Sequence, residues 1–131
     1  MITRMDTYIG RVLDLVEELG LTKDTIVVFT SDNGTTHLKL EVDYDFFESV
    51  GKLRGLKGSL YEGGIRVPLI VKWPGKIKAG SVSHRMTGFE DWLVTLHTLI
   101  EAKNPLPPVH DGYEQAHLLL GKCALVRPPL Y

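Results

Sequence analysis

The step from Thr25-Ile26-Val27-Val28-Phe29-Thr30 into Ser31-Asp32-Asn33-Gly34 constrains this chain most. Five of the six residues in the first run are β-branched and the run has no polar alternation, which predicts a strand buried on both faces. Upstream, Ile2, Met5, Ile9, Val12, Leu13, Val16 and Leu19 recur at steps of mostly three and four, with Arg4, Asp14, Glu17 and Glu18 between them. This spacing predicts a helix over 2–19. Gly20 is its natural stop, because glycine takes the left-handed conformation that closes a helix. Helix, tight turn and apolar strand in succession are the grammar of an α/β fold.

The composition agrees with a folded chain. The 131 residues are 44% hydrophobic and 24% charged, globular values that exclude a disordered or fibrous chain and fit one domain of ordinary size. With 15 basic and 16 acidic side chains the net charge is −1, so there is no broad basic surface, and nucleic acid is not an expected partner. No apolar run approaches the roughly 20 residues of a membrane span, and the first residues lack the apolar core of a secretory signal. No membrane association is expected. Cys123 is the only cysteine. It cannot form an internal disulfide or a multi-cysteine zinc site, and the compartment stays open.

Farther along, 35–60 reads as a long loop with room for one short helix. Ile65 to Trp73 predicts a second strand, with Pro68 marking an edge or bulge. Pro74-Gly75 is a turn, and Ile77 to Val82 could return as a short strand. Thr87-Gly88-Phe89-Glu90 matches a capping box. The helix it opens carries Phe89, Trp92, Leu93, Leu96, Leu99 and Ile100 on one face. Gln115 to Leu120 predicts one or two further helical turns, and 123–131, which holds Pro128 and Pro129, an irregular tail.

Asp32 and Asn33 stand at the C-terminal end of the buried strand, where open α/β sheets place their sites. A carboxylate beside an amide carbonyl offers hard oxygens of the kind calcium or magnesium takes. A plain turn is the other reading, since Asp, Asn and Gly each favour turns. Lys57 lies between Gly55 and Gly58. There the backbone can approach a ligand closely and the ammonium can neutralise an anionic oxygen. An exposed lysine on a flexible loop is the alternative. Glu62 and Arg66 are spaced to pair locally, which is worth little when exposed. Among His37, His84, His97, His110 and His117, no two have the helical zinc spacing. Only His37 follows the Asp-Asn turn closely, and His97 reads as structural.

Together these motifs resemble the type I, formylglycine-dependent sulfatases of the alkaline-phosphatase-like superfamily. Residues 25–34 look like that family's strand and metal loop. Gly55-Leu-Lys-Gly-Ser-Leu-Tyr-Glu-Gly-Gly-Ile-Arg-Val-Pro68 is similar to its lysine loop and following strand, continued by Trp73-Pro-Gly75. Glu90-Asp-Trp-Leu-Val-Thr-Leu96 resembles its Asp-Leu-Leu-Pro-Thr-Leu helix start, with Val94 in place of proline. Asp111-Gly112 and Leu120-Gly121 resemble the segment that ends the catalytic domain. The resemblance implies an α/β fold, a partial alkaline-phosphatase-like sandwich of helices around a mainly parallel or mixed sheet. It covers 1–122 as a partial catalytic domain.

It further implies that Asp32 and Asn33 help bind a divalent cation, usually calcium, and that Lys57 contacts the sulfate ester. The expected function is sulfuric ester hydrolysis, with a sulfate-ester substrate in the complete enzyme. Relatives are often exported or lysosomal, although this chain shows no address. The family's nucleophile is a formylglycine made from the Cys or Ser that opens C-x-P-S-R or S-x-P-S-R, and neither motif occurs here. Cys123-Ala-Leu-Val-Arg127 has the cysteine-to-arginine spacing but no Pro-Ser pair. A segment inactive alone is therefore expected. The alternative is a non-catalytic remnant that binds a cation or a partner, with self-association through an exposed sheet edge.

Overall fold

The computed structural model describes residues 1–37, 43–122 and 128. Its elements run α1 (Ile2–Glu18), β1 (Val27–Thr30), α2 (Glu62–Ile65), β2 (Leu69–Lys72), α3 (Asp91–Leu99) and α4 (Ala116–Leu119). The expected irregular tail lies outside the described residues except for Pro128. Two compact units are present: one comprises Met1–Ile26 with Lys72–Tyr131, the other Val27–Val71.

In the first unit, α1 forms where the apolar spacing predicts it. It ends one residue early on a Schellman motif: Gly20 takes φ 69°, its N–H donates to Glu17 O at 2.9 Å, and the Leu21 N–H donates to Val16 O at 3.0 Å. The turn after α3 closes by the same two bonds, from Glu101 to Thr98 O and from Ala102 to His97 O. There a glutamate holds the left-handed position, at φ 51°, where its Cβ crowds the backbone. Glu101→Gly is expected to raise stability by about 1 kcal/mol, read as a higher urea midpoint at unchanged slope. A lower midpoint would show that the position carries no strain.

The core of this unit is small and half polar: Val94, Leu99 and Ala116 are buried with Asp91, Thr95 and Gln115. Of the expected apolar face of α3, only Leu99 is buried, and Trp92 is half-buried. Phe89, Leu93, Leu96 and Ile100 are exposed, whereas Asp91, Val94, Thr95 and Leu99 face inward. The segment leading into α4 decides this, because the Gln115 N–H donates to Thr95 Oγ1 at 3.0 Å and the Tyr113 N–H to Asp91 Oδ1 at 2.8 Å. The expected capping box is also displaced by one residue. Asp91 Oδ2 accepts the Gly88 N–H at 2.8 Å, so Asp91 takes the role assigned to Glu90. The segment 77–82 forms turns instead of a strand; the N–H groups of Lys76 and Ile77 donate to Trp73 O. Trp73 is anchored in turn by its indole N–H, which donates to Lys23 O at 2.8 Å.

In the second unit, β1 and β2 pair as an antiparallel two-stranded sheet. β2 begins immediately after Pro68, which lacks the N–H that a ladder needs. No parallel strand pair occurs among the described residues. Burial of β1 on both faces is corrected: Val28 and Phe29 are 38% and 37% exposed, because β2 is the only strand paired with it among the described residues. Residues 44–52 form successive turns, opened by Asp43 Oδ1, which accepts the Phe46 N–H at 2.9 Å. The single short helix of this region, α2, falls after the loop.

Candidate functional site

The second unit contains all three residues singled out in the sequence. β1 delivers the chain into Ser31-Asp32-Asn33-Gly34, where the side chains organise one another. The Asn33 amide N–H donates to Asp32 Oδ1 at 3.1 Å and to Gly34 O at 3.3 Å, and Ser31 Oγ donates to Asn33 O at 3.1 Å. With the amide nitrogen so engaged, the side-chain oxygen Asn33 Oδ1 and Asp32 Oδ2 meet no donor among the described residues. Asp32 is exposed and Asn33 half-buried. Two adjacent hard oxygens suit a hard divalent cation, as part of the six to eight ligands that calcium takes. No cluster of three His, Cys, Asp or Glu side chains able to hold a metal occurs among the described residues.

Lys57 is tied to this loop through its backbone. Its N–H donates to Thr35 O at 2.7 Å, and the Gly34 N–H donates to Gly64 O at 2.9 Å. The lysine loop and the Asp-Asn loop are thus stitched together by main-chain bonds, with glycines where Gly34 meets Gly63-Gly64 and where Gly63 meets Gly55. A Cβ on Gly34 would overlap the Gly63 carbonyl, and a Cβ on Gly63 would overlap the Gly55 carbonyl. The lysine side chain is exposed and has no ion-pair partner among the described residues. The Arg54 guanidinium lies 3.8 Å from the centroid of the Tyr61 ring, so Tyr61 packs, as expected. Glu62 and Arg66 pair at 2.9 Å on the surface.

A cavity of about 350 Å³ opens beside the loop, lined by Asn33, Thr35, Ser49, Leu53 and Arg66 among others. The hydroxyl-bearing wall escaped the reading of the sequence, which gave Arg66 only its pairing with Glu62, and so did the approach of Gly34 to Gly63. The Gly63-Gly64 doublet was the available signal, since buried adjacent glycines mark close backbone contact. Of the histidines, His37 is exposed and stands with no metal-binding cluster. His97 is structural, its Nε2 lying 2.6 Å from Asn104 O.

Comparison with known proteins places these features in a family. The sulfatase family model matches residues 1–102. N-acetylgalactosamine-6-sulfatase of Rattus norvegicus is 35% identical over 130 residues, covering 99% of this chain and 24% of that protein. Arylsulfatase A of Homo sapiens is 38% identical over 128 residues, covering 97% and 24%. Steryl-sulfatase of Mus musculus is 39% identical over 121 residues, covering 92% and 19%. Among solved structures, a sulfatase from Pseudoalteromonas superposes with TM-score 0.69 at 33% identity, over 88% of this chain and 23% of that one. A Bacteroides thetaiotaomicron structure from work on the metabolism of multiple glycosaminoglycans gives 0.74 at 33% identity, over 94% and 26%. The chain spans about a quarter of the length of the curated relatives it matches. With a family model matched over residues 1–102 and sulfatase relatives above 30% identity, the chain belongs to the sulfatase family.

Proposed function

We propose that residues 1–122 are part of a sulfatase catalytic domain, in which Asp32 and Asn33 ligate a divalent cation, most naturally calcium, and Lys57 contacts the sulfate ester. The main-chain bond from Lys57 to Thr35 carries this reading, because it sets the ammonium-bearing loop beside the two oxygen donors. Asp32 supplies the charge and Asn33 the neutral carbonyl, held in place by its own N–H bonds. A bound cation would polarise the sulfate oxygens. The Lys57 ammonium would offset the charge that grows on the ester oxygens as the sulfur–oxygen bond breaks. In the complete domain, β1 and β2 would take part in a larger, mainly parallel or mixed sheet.

The matched relatives act, by their names, on an amino-sugar sulfate, aryl sulfates and steryl sulfates. The sulfate ester is what these share, so it defines the proposed substrate. No C-x-P-S-R or S-x-P-S-R motif is present to supply the nucleophile, and the chain by itself is expected to show no turnover. Metal-dependent release from an aryl sulfate by the pure chain would overturn that expectation. For the cation, calorimetric titration with calcium is expected to show weak binding that Asp32→Ala abolishes. Equal binding by the variant would overturn the ligand assignment.

A further inference from the structure

α1 carries two apolar stripes. Ile9, Leu13 and Val16 are half-buried. Met5, Tyr8, Val12, Leu15 and Leu19, between 48% and 62% exposed, form a second stripe that faces outward with Met1. No residue of this 17-residue helix is buried. The outward positions 1, 5, 8, 12, 15 and 19 advance by four, three, four, three and four. These are the a and d positions of a heptad, and with Ile2, Ile9 and Val16 on one flank the apolar face is wider than a strict a/d seam.

The seam is self-complementary in one direction. Set antiparallel to a copy of itself about Gly10, it pairs Met1 with Leu19, Met5 with Leu15 and Tyr8 with Val12, and leaves no seam residue unmatched. On one flank the same register puts Arg4 opposite Glu18, twice by symmetry. On the other, Ile2 stands opposite Val16 and widens the apolar contact. A parallel register would set the Arg4 and Arg11 flank against Ile9 and Val16 and form no ion pair. Arg11 meets its own copy at the dyad. Its guanidinium lies 5.8 Å from the Tyr8 ring centroid, where the aromatic face spreads the charge.

We propose that α1 is a self-association surface, on which a second copy of this chain docks its own α1 antiparallel. Such a contact is isologous, the same patch on both copies, and it closes at two. It is distinct from pairing at the β2 edge and independent of the sulfatase reading.

Light scattering is expected to show a concentration-dependent rise in mass from 14.7 kDa to twice that value. Val12→Lys should raise the dimer dissociation constant at least tenfold. Asp14→Lys, off the seam, should leave it unchanged. Arg4→Glu should weaken the dimer, and adding Glu18→Arg should restore it. In a Cys123→Ser background, Met5→Cys and Leu15→Cys chains mixed under mild oxidation should form the mixed disulfide, and neither should form its own. The variants lie on the solvent face, so far-ultraviolet circular dichroism should be unchanged. A monomer at every concentration would overturn the proposal and leave the stripe for another segment of a longer polypeptide. A dimer that survives Val12→Lys, or a disulfide of Met5→Cys with itself, would also overturn it.

Discussion

Asp91→Ala is expected to lower the melting temperature of the chain on the order of 10 °C, through a loss of about 3 kcal/mol. Asp91 is 2% exposed, and its two oxygens serve different parts of the unit. Oδ2 accepts the Gly88 N–H just before α3, and Oδ1 accepts the Tyr113 N–H from 22 residues away. Truncation leaves both donors without the acceptor they face, and an unmade bond at a buried site costs more than a made one contributes. The long-range member matters most. With the Thr95 bond to the Gln115 N–H, it holds the 112–116 segment against α3. Gly112 sits there so close to Glu90 that a Cβ would overlap its carbonyl. Asp91→Asn keeps the volume and one acceptor oxygen, so about half the loss is expected. Differential scanning calorimetry of the two variants checks the order. Equal melting of wild type and Asp91→Ala would show that the clamp contributes nothing.

That clamp also shows where reading the sequence stops. α1 was legible because its signals are local: an apolar period and a glycine stop, both within 20 residues. The Asp-Asn-Gly loop and the Lys57 loop were legible as candidates from residue type, and the structure joins the two loops through the Lys57 N–H and Thr35 O. The rotation of α3 was not legible. Trp92, Leu93 and Leu96 make the more apolar face, yet the helix buries Asp91, Val94, Thr95 and Leu99, because its partner is the segment before α4 and that pairing is non-local. The capping box failed for the same reason: Thr87 and Glu90 have the right spacing, but a backbone N–H at Tyr113 recruits the next carboxylate. Strand β1 was legible in kind but not in burial, since burial depends on what lies over a strand. The glycines of the lysine loop were visible singly. The approach of Gly63 and Gly64 to Gly34 was not, because nothing in the 28 intervening residues announces it.

Gly63→Ala and Gly34→Ala are expected to separate the lysine loop from the Asp-Asn loop. At both positions the added Cβ would overlap a carbonyl of the main chain, Gly55 for one and Gly63 for the other, and backbone cannot rotate aside as a long side chain can. The cost of such overpacking is about 2–3 kcal/mol. It falls on the bonds that the loops share, from the Lys57 N–H to Thr35 O and from the Gly34 N–H to Gly64 O. Amide exchange at Lys57 and Gly34 should therefore accelerate about a hundredfold, since each factor of ten is about 1.4 kcal/mol. Gly10→Ala is the control: a Cβ there meets nothing within 4 Å, and alanine is the better helix former. The Tyr113 amide, in the other unit, should keep its protection. A hundredfold change at Lys57 with an unchanged Tyr113 would show the loops parting as a local unit. Unchanged exchange at Lys57 would show that the glycine contacts do not set its place. Faster exchange at both amides would make the glycines general supports of the fold. Only the first result leaves the cation and lysine loops joined by these glycines, as the proposed site needs.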